Sequence, residues 1–185
     1  MKKQLLLLLT IIIVSIFTFT LQSCSSSTPS PSSNDFIKGN WKEVKTTTTG
    51  KITKGLPLAA SFFLPNGVIP SGVLDTIKIV REMTFINDKD VDILVAANQP
   101  LVKSNWKFTN GTSGMEFSNF KFNNPLLSSV TTLNATITKL TATEFVFSSV
   151  TKLTNVDFDA SGFGIPSVGK LKVDLEITSV IEMKK

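Results

Sequence analysis

The sequence predicts an all-β domain, an antiparallel up-and-down β-barrel of about eight strands, and three observations carry that expectation. Apolar residues beyond position 35 recur at every second place rather than at helical spacing. Threonine, valine, isoleucine and phenylalanine dominate those runs, the residues that suit a pleated, half-buried surface. Prolines 57, 65, 70, 100, 125 and 166 all fall between the runs, as strand interiors require. A sheet with one apolar face must close on itself or be covered by a second layer. Closure into a barrel removes exposed edges; a two-sheet β-sandwich is the competing architecture.

The strands follow in order. Trp41 to Thr49 forms the first. Thr76 to Asn87 carries Ile77, Ile79, Met83 and Phe85 in one phase, and the polar stretch Asn87-Asp88-Lys89-Asp90 reads as a turn. Val91, Ile93 and Val95 resume the alternation. Ser104, Trp106 and Phe108 lead to Asn110-Gly111, a pair that favours tight hairpins because both residues tolerate positive φ. Met115 and Phe117, then Leu133, Ala135 and Ile137, then Phe145 and Phe147 follow at short intervals. The C-terminal run is the clearest: Leu171, Val173, Leu175, Ile177 and Ile181 share one face, and Lys172, Asp174, Glu176 and Thr178 the other.

Two segments interrupt the pattern. Lys54 to Asp75 holds Leu56, Leu58, Phe62, Phe63, Leu64, Val68 and Ile69 among three prolines and three glycines. It is too broken for a regular strand and too apolar for an ordinary solvent loop. Leu153 to Gly169, with Phe158, Phe163 and Ile165 among glycines, is the second.

Gly39-Asn40-Trp41 heads the first strand, and it resembles the Gly-x-Trp signature that opens lipocalin-like barrels. Gly39 to Val44, Ser104 to Phe108 and Leu140-Thr141-Ala142-Thr143-Glu144-Phe145 together are similar to the motifs of lipocalin-like bacterial lipoproteins. The resemblance spans Gly39 to Lys185 as scattered motifs. It implies a structural role for Gly39 and Trp41, and a first connection lying over the open mouth of the barrel. Leu58, Phe62, Phe63 and Leu64 then become a candidate lid over a small hydrophobic ligand. Plugging the barrel, or dipping into a membrane, are the other roles open to them. The chain departs from lipocalins in having no tyrosine and no arginine after Arg81. The arginine that lipocalins place over the opening tryptophan has only Lys172 or Lys184 as a poor substitute, because lysine lacks a planar stacking surface.

Ahead of the domain, Lys2 and Lys3 precede Leu5 to Leu21, an uncharged and mostly apolar run that ends in Leu21-Gln22-Ser23-Cys24. Those four residues resemble a bacterial lipobox. The resemblance implies a signal peptide over residues 1–23, diacylglycerol on the sulfur of Cys24 and a further acyl chain, such as palmitate, on its amine. An uncleaved membrane anchor and plain secretion are the alternatives. Residues 24–34 then form a lipidated Ser/Pro-rich tether whose ten residues after the cysteine reach roughly 17 Å. Residues 35–185 form the barrel domain. No Asp directly follows the cysteine, where it would resemble an inner-membrane retention signal, and no acidic run follows that would resemble a surface-export signal; the expected location is the bacterial cell envelope, lipid-anchored at the outer membrane, its periplasmic face favoured over the cell surface.

Composition removes most chemistry. The chain has no histidine and one cysteine, so no disulfide, thiol nucleophile or His-based triad can be assembled once Cys24 carries lipid. Asp88, Asp90 and Asp92 have the spacing of a calcium loop, but Ile93 and Gln99 stand where glycine and a bidentate glutamate are needed. They read as a charged turn, as do Asp157 and Asp159. No enzyme activity, metal or cofactor is expected. The leader holds two of the nineteen basic residues, which leaves seventeen against fourteen acids. The lysines are dispersed, so no nucleic acid is expected as partner. The alternative function is a non-catalytic adhesion, assembly or glycan-binding module, with sugars stacking on Trp41 and Trp106 if those rings are exposed.

Overall fold

The computed structural model describes residues 33–70, 74, 77–122, 125–159 and 170–185. The leader, Cys24 and most of the tether lie outside the described residues, as do Phe163 and Ile165 of the second interruption.

Ser33 to Lys185 forms one compact unit. It opens with a short helix α1 (Ser33–Ile37) and continues into β1 (Gly39–Lys54). A second short helix, α2 (Leu58–Ser61), lies in the first connection, followed by β2 (Val68–Ile69). Then come β3 (Glu82–Phe85), β4 (Asp90–Leu94), β5 (Val102–Thr109), β6 (Gly114–Ser118), β7 (Thr132–Leu140), β8 (Glu144–Asp159) and β9 (Lys170–Lys184). Every neighbouring pair is antiparallel. Because β9 also pairs with β1 over Lys42 to Lys54, the sheet closes. The result is an eight-stranded up-and-down barrel, with β2 as an extra strand against Gly50 and Lys51 of β1.

The wall is uneven. β1, β8 and β9 run 16, 16 and 15 residues, whereas the remaining barrel strands run from four to nine. At ~3.3 Å per residue the long strands extend about 50 Å along their own course. On β1, β3 pairs only with Gly39 to Lys42, and the bond from Glu43 N to Arg81 O marks where that ladder stops. Beyond it the first connection takes over the edge of β1.

One expected strand is shorter than its pattern. Ile77, Ile79 and Val80 are buried, but residues 77–80 join no ladder, so the strand predicted over Thr76 to Asn87 shrinks to Glu82–Phe85. Their apolar side chains join the core without strand pairing. Leu153 to Asp159, expected as irregular, instead belongs to β8. The register shifts between Leu153 and Val156, where Asn155 adopts φ 52° and its amide donates to Asp174 Oδ1 at 2.9 Å. This bulge changes the phase, so Val156 and Phe158 no longer match the alternation before it.

The core is continuous. At the Gly39 end it is aromatic: Phe145 lies 5.6 Å from Trp41, 4.8 Å from Phe147 and 6.3 Å from Phe85 between ring centroids, and Phe85 meets Trp106 edge-on at 5.1 Å. Such tilted and T-shaped contacts suit the ring quadrupoles. α1 closes this end, with Ile37 fully buried and its carbonyl accepting a 2.7 Å bond from Trp41 Nε1.

Candidate functional site

The register of the three long strands builds an unusual belt across the inner wall. Thr48 lies opposite Ser179, Ser179 opposite Ser149, and Ser149 opposite Ala135 on β7. One rank further from the aromatic end stand Gly50, Ile177 and Thr151. Apart from Ile177, small, neutral side chains therefore separate two larger sets. On one side are Trp41, Phe145, Phe147, Ile181 and Met183; on the other are Ile52, Leu153 and Leu175, roofed by Ile69 and Leu74 of the first connection.

The hydroxyls of this belt are incompletely paired. Thr48 Oγ1 and Ser179 Oγ share a bond at 3.3 Å. Ser149 is 2% exposed, and its Oγ has no hydrogen-bond partner among the described residues; the same holds for the buried Oγ1 of Thr46. Strand alternation turns Ser149 inward, between buried Phe147 and Thr151. A hydroxyl buried without a partner costs about 1–3 kcal/mol, and Ser149 carries one within the belt, whereas Thr46 stands one rank toward the aromatic end, opposite Ile181. The belt contains no ionisable side chain. It suits a neutral hydroxyl, carbonyl or amide, and disfavours a carboxylate, whose charge would be buried unpaired.

The first connection roofs the aliphatic half, and glycine lets it approach so closely. Gly67 has φ 71°, and a Cβ there would collide with the carbonyl of Ile52; Gly55, at φ 83°, lies likewise against the carbonyl of Lys172. Gly50 is a matter of space: a Cβ would come within 2.5 Å of Leu74 Cδ1.

The four candidate lid residues divide. In α2 and the turn after it, Ala60 and Leu64 are four residues apart and both buried, while Leu58 and Phe62, also four apart, are each 79% exposed. Phe63 is 59% exposed. Leu64 thus faces the core, and the other three project outward. Ser61 Oγ donates to Leu58 O at 2.7 Å and steadies the turn.

Gly39 and Trp41 sit together at the opposite end. The cation over Trp41 is neither Lys172 nor Lys184 but Lys185, whose Nζ lies 4.9 Å from the ring centroid. Lys184 is paired across β8 with Glu144 on the outer face, and Lys172 bonds Asp157 at 3.1 Å. Both tryptophans are buried, and Trp106 Nε1 donates to Asn87 O at 2.9 Å. Neither ring is available to stack on a sugar.

Asp90 of the charged turn accepts from Asn105 at 2.9 Å and from Asn87 at 2.7 Å, and Asp88 meets Lys38 at 3.4 Å. Asn87 Oδ1 accepts from the amides of Lys89 and Asp90, which fixes the hairpin. A cleft of about 470 Å³ on the outer wall is lined by Asn110, Gly114, Asn134, Thr136, Ser148 and Val150.

The belt escaped sequence reasoning, although it left a signal. The inward stripe of β9 runs Leu171, Val173, Leu175, Ile177 and Ile181, and position 179 interrupts it with serine. Comparison of the chain with family models, with curated proteins and with solved structures returned no match. The closed eight-stranded barrel is consistent with a lipocalin-like fold on its topology.

Proposed function

We propose that this chain is a non-catalytic lipoprotein of the bacterial envelope, tethered to the outer membrane through lipid on Cys24, whose barrel binds a small, mostly apolar ligand. The observation that carries the ligand is the belt: the buried, unpaired Ser149 hydroxyl between two apolar sets. A guest with an apolar body and one neutral polar group satisfies both surroundings. The apolar body lies toward Ile52, Leu153 and Leu175, under the first connection, and the polar group reaches Ser149. Tethering rests on the lipobox-like residues 21–24, and the lack of histidine and of an available thiol supports a binding role over a catalytic one.

The test is native mass spectrometry of the full chain extracted from bacterial membranes in mild detergent. The expected result is a co-purifying small molecule that is lost in Ser149→Phe, a variant that fills the belt, while circular dichroism remains that of a β-barrel. A chain free of any bound molecule, or one whose bound molecule survives Ser149→Phe, overturns the reading. Metabolic labelling with palmitate, and its loss in Cys24→Ala, tests the tether separately.

A further inference from the structure

The cleft on the outer wall lies between the β5–β6 turn and the outward faces of β7 and β8. Its volume of about 470 Å³ falls within the roughly 300–1,000 Å³ of small-molecule sites. Register builds it: Thr109 stands opposite Gly114, Gly114 opposite Thr136, Thr136 opposite Ser148, and Ser148 opposite Val180. At ~4.8 Å per strand this row runs about 19 Å across the wall. Gly114 lies in β6 without the positive φ that demands glycine. Its bareness is a matter of space, since a Cβ there would collide with Thr109 Oγ1. Glycine inside a strand is a common mark of such close approach.

Three properties of the lining define a guest. First, no lining side chain is ionisable, and the charges that border the cleft are paired with each other. Glu116, opposite Asn134, meets Lys107 at 2.8 Å, and Lys139 meets Glu144 further along the β7–β8 ladder. Second, the side chains of Asn110, Asn134, Thr136 and Ser148 make no hydrogen bond to other described residues. The amides of Asn87, Asn105 and Asn119, in contrast, are bonded to one another or to Asp90. Third, Val150 is 50% exposed within the cleft, and Val180 is 37% exposed beside it.

We propose that this cleft binds a short, uncharged oligosaccharide. A carboxamide presents a donor and an acceptor side by side, and a sugar hydroxyl is itself both, so neighbouring hydroxyls of a ring match Asn110 and Asn134. Thr136 and Ser148 extend the pairing, while the valine and threonine methyl groups cover the C–H face of the ring. An anion would meet no cation in the lining and would lie beside Glu116. A wholly apolar guest would cover the free amides without pairing them, which is costly. Recognition here uses amides and hydroxyls in place of the tryptophan rings, which are buried. The side chain of Ser148 points away from that of Ser149, so the site stands apart from both the interior ligand and the tether.

The test is nitrogen-15 NMR of the full chain in a zwitterionic detergent without a sugar headgroup. Maltotriose, cellotriose and tri-N-acetylchitotriose are added in turn to millimolar concentration. At least one of them should shift the side-chain amide resonances of Asn110 and Asn134 saturably, while those of Asn87, Asn105 and Asn119 stay in place. Thr136→Arg, which puts a long charged side chain into the cleft from an exposed position, should weaken that binding several-fold or more. Asn134→Ala should weaken it several-fold and serves as the second variant if arginine disturbs β7. Trigalacturonate, an acidic counterpart, should move neither resonance. The proposal is overturned by no saturable shift at Asn110 and Asn134 with any of the three neutral sugars, or by equal shifts at Asn87 and Asn105. Binding that survives both substitutions, or an equal response to trigalacturonate, overturns it too.

Discussion

Replacing Ser149 by alanine should make the ligand-free protein more stable. Buried positions rarely behave this way, since most substitutions there remove packing. Here the group removed is a hydroxyl that is desolvated and has no partner, and its removal should recover about 1–3 kcal/mol. Against that stands the loss of one oxygen's dispersion contacts, at ~0.1–0.2 kcal/mol each, which sum to a few tenths. The weaker strand preference of alanine subtracts a similar amount. The net gain is about 0.5–2 kcal/mol, or roughly 1–8 °C in Tm for a domain of this size. Ser179→Ala is the internal control, because its Oγ is bonded to Thr48 at 3.3 Å. That change strands the threonine hydroxyl and should cost about 1 kcal/mol. Urea unfolding followed by emission from the two buried tryptophans measures both variants. Saturation with ligand should abolish the advantage of Ser149→Ala, since the hydroxyl is then paired. A destabilisation of about 1 kcal/mol or more in the ligand-free variant would refute the argument, because it would show that Ser149 is already bonded, for example to trapped water.

Other substitutions separate the two apolar populations. Phe145→Ala opens a void beside Trp41, Phe85 and Phe147 and should cost about 3–5 kcal/mol in urea unfolding, whereas Phe62→Ala should change stability by less than about 0.5 kcal/mol. Trp41→Phe leaves the buried carbonyl of Ile37 without its donor, so a loss of about 1–3 kcal/mol is expected, together with faster amide exchange in α1. On the β7–β8 hairpin, the hydrogen bond and charge of Lys139 hold the Glu144 carboxyl below its ordinary range; desolvation opposes them, and Lys184 adds a lesser lowering. A depressed carboxylate stabilises the fold above its unfolded-state value and loses that contribution as pH falls through its folded-state value. Carbon-13 titration should therefore show Glu144 protonating at lower pH than a free glutamate, and Lys139→Met should move it back up.

The strands were largely legible because side-chain direction alternates along each one, and that alternation is local. It marked Met83, Phe85, Val91, Ile93, Trp106, Phe117, Phe145 and Phe147 as core, and all are buried. It failed where local pattern and pairing part company. Ile77 and Ile79 alternate like a strand and are buried, yet they pair with no neighbour and β3 begins only at Glu82. In β8 the bulge at Asn155 shifts the phase, so a period of two cannot be followed through it. Lys185 shows the same limit at the C-terminus. Lys184, still within β9, points to the outer face, and only the residue past the strand end is free to turn beneath Trp41.

What the sequence decided alone is the strand-forming runs, which face of each is apolar, and the absence of histidine. Steric and hydration preferences acting over a few residues suffice for these. Closure by β1 against β9, the unequal wall and the outward turn of Leu58, Phe62 and Phe63 were settled by tertiary structure. So was the hydroxyl belt: Thr48 and Ser179 are 131 positions apart and share a hydrogen bond. Register between distant strands depends on how every intervening element packs, and no local pattern encodes it.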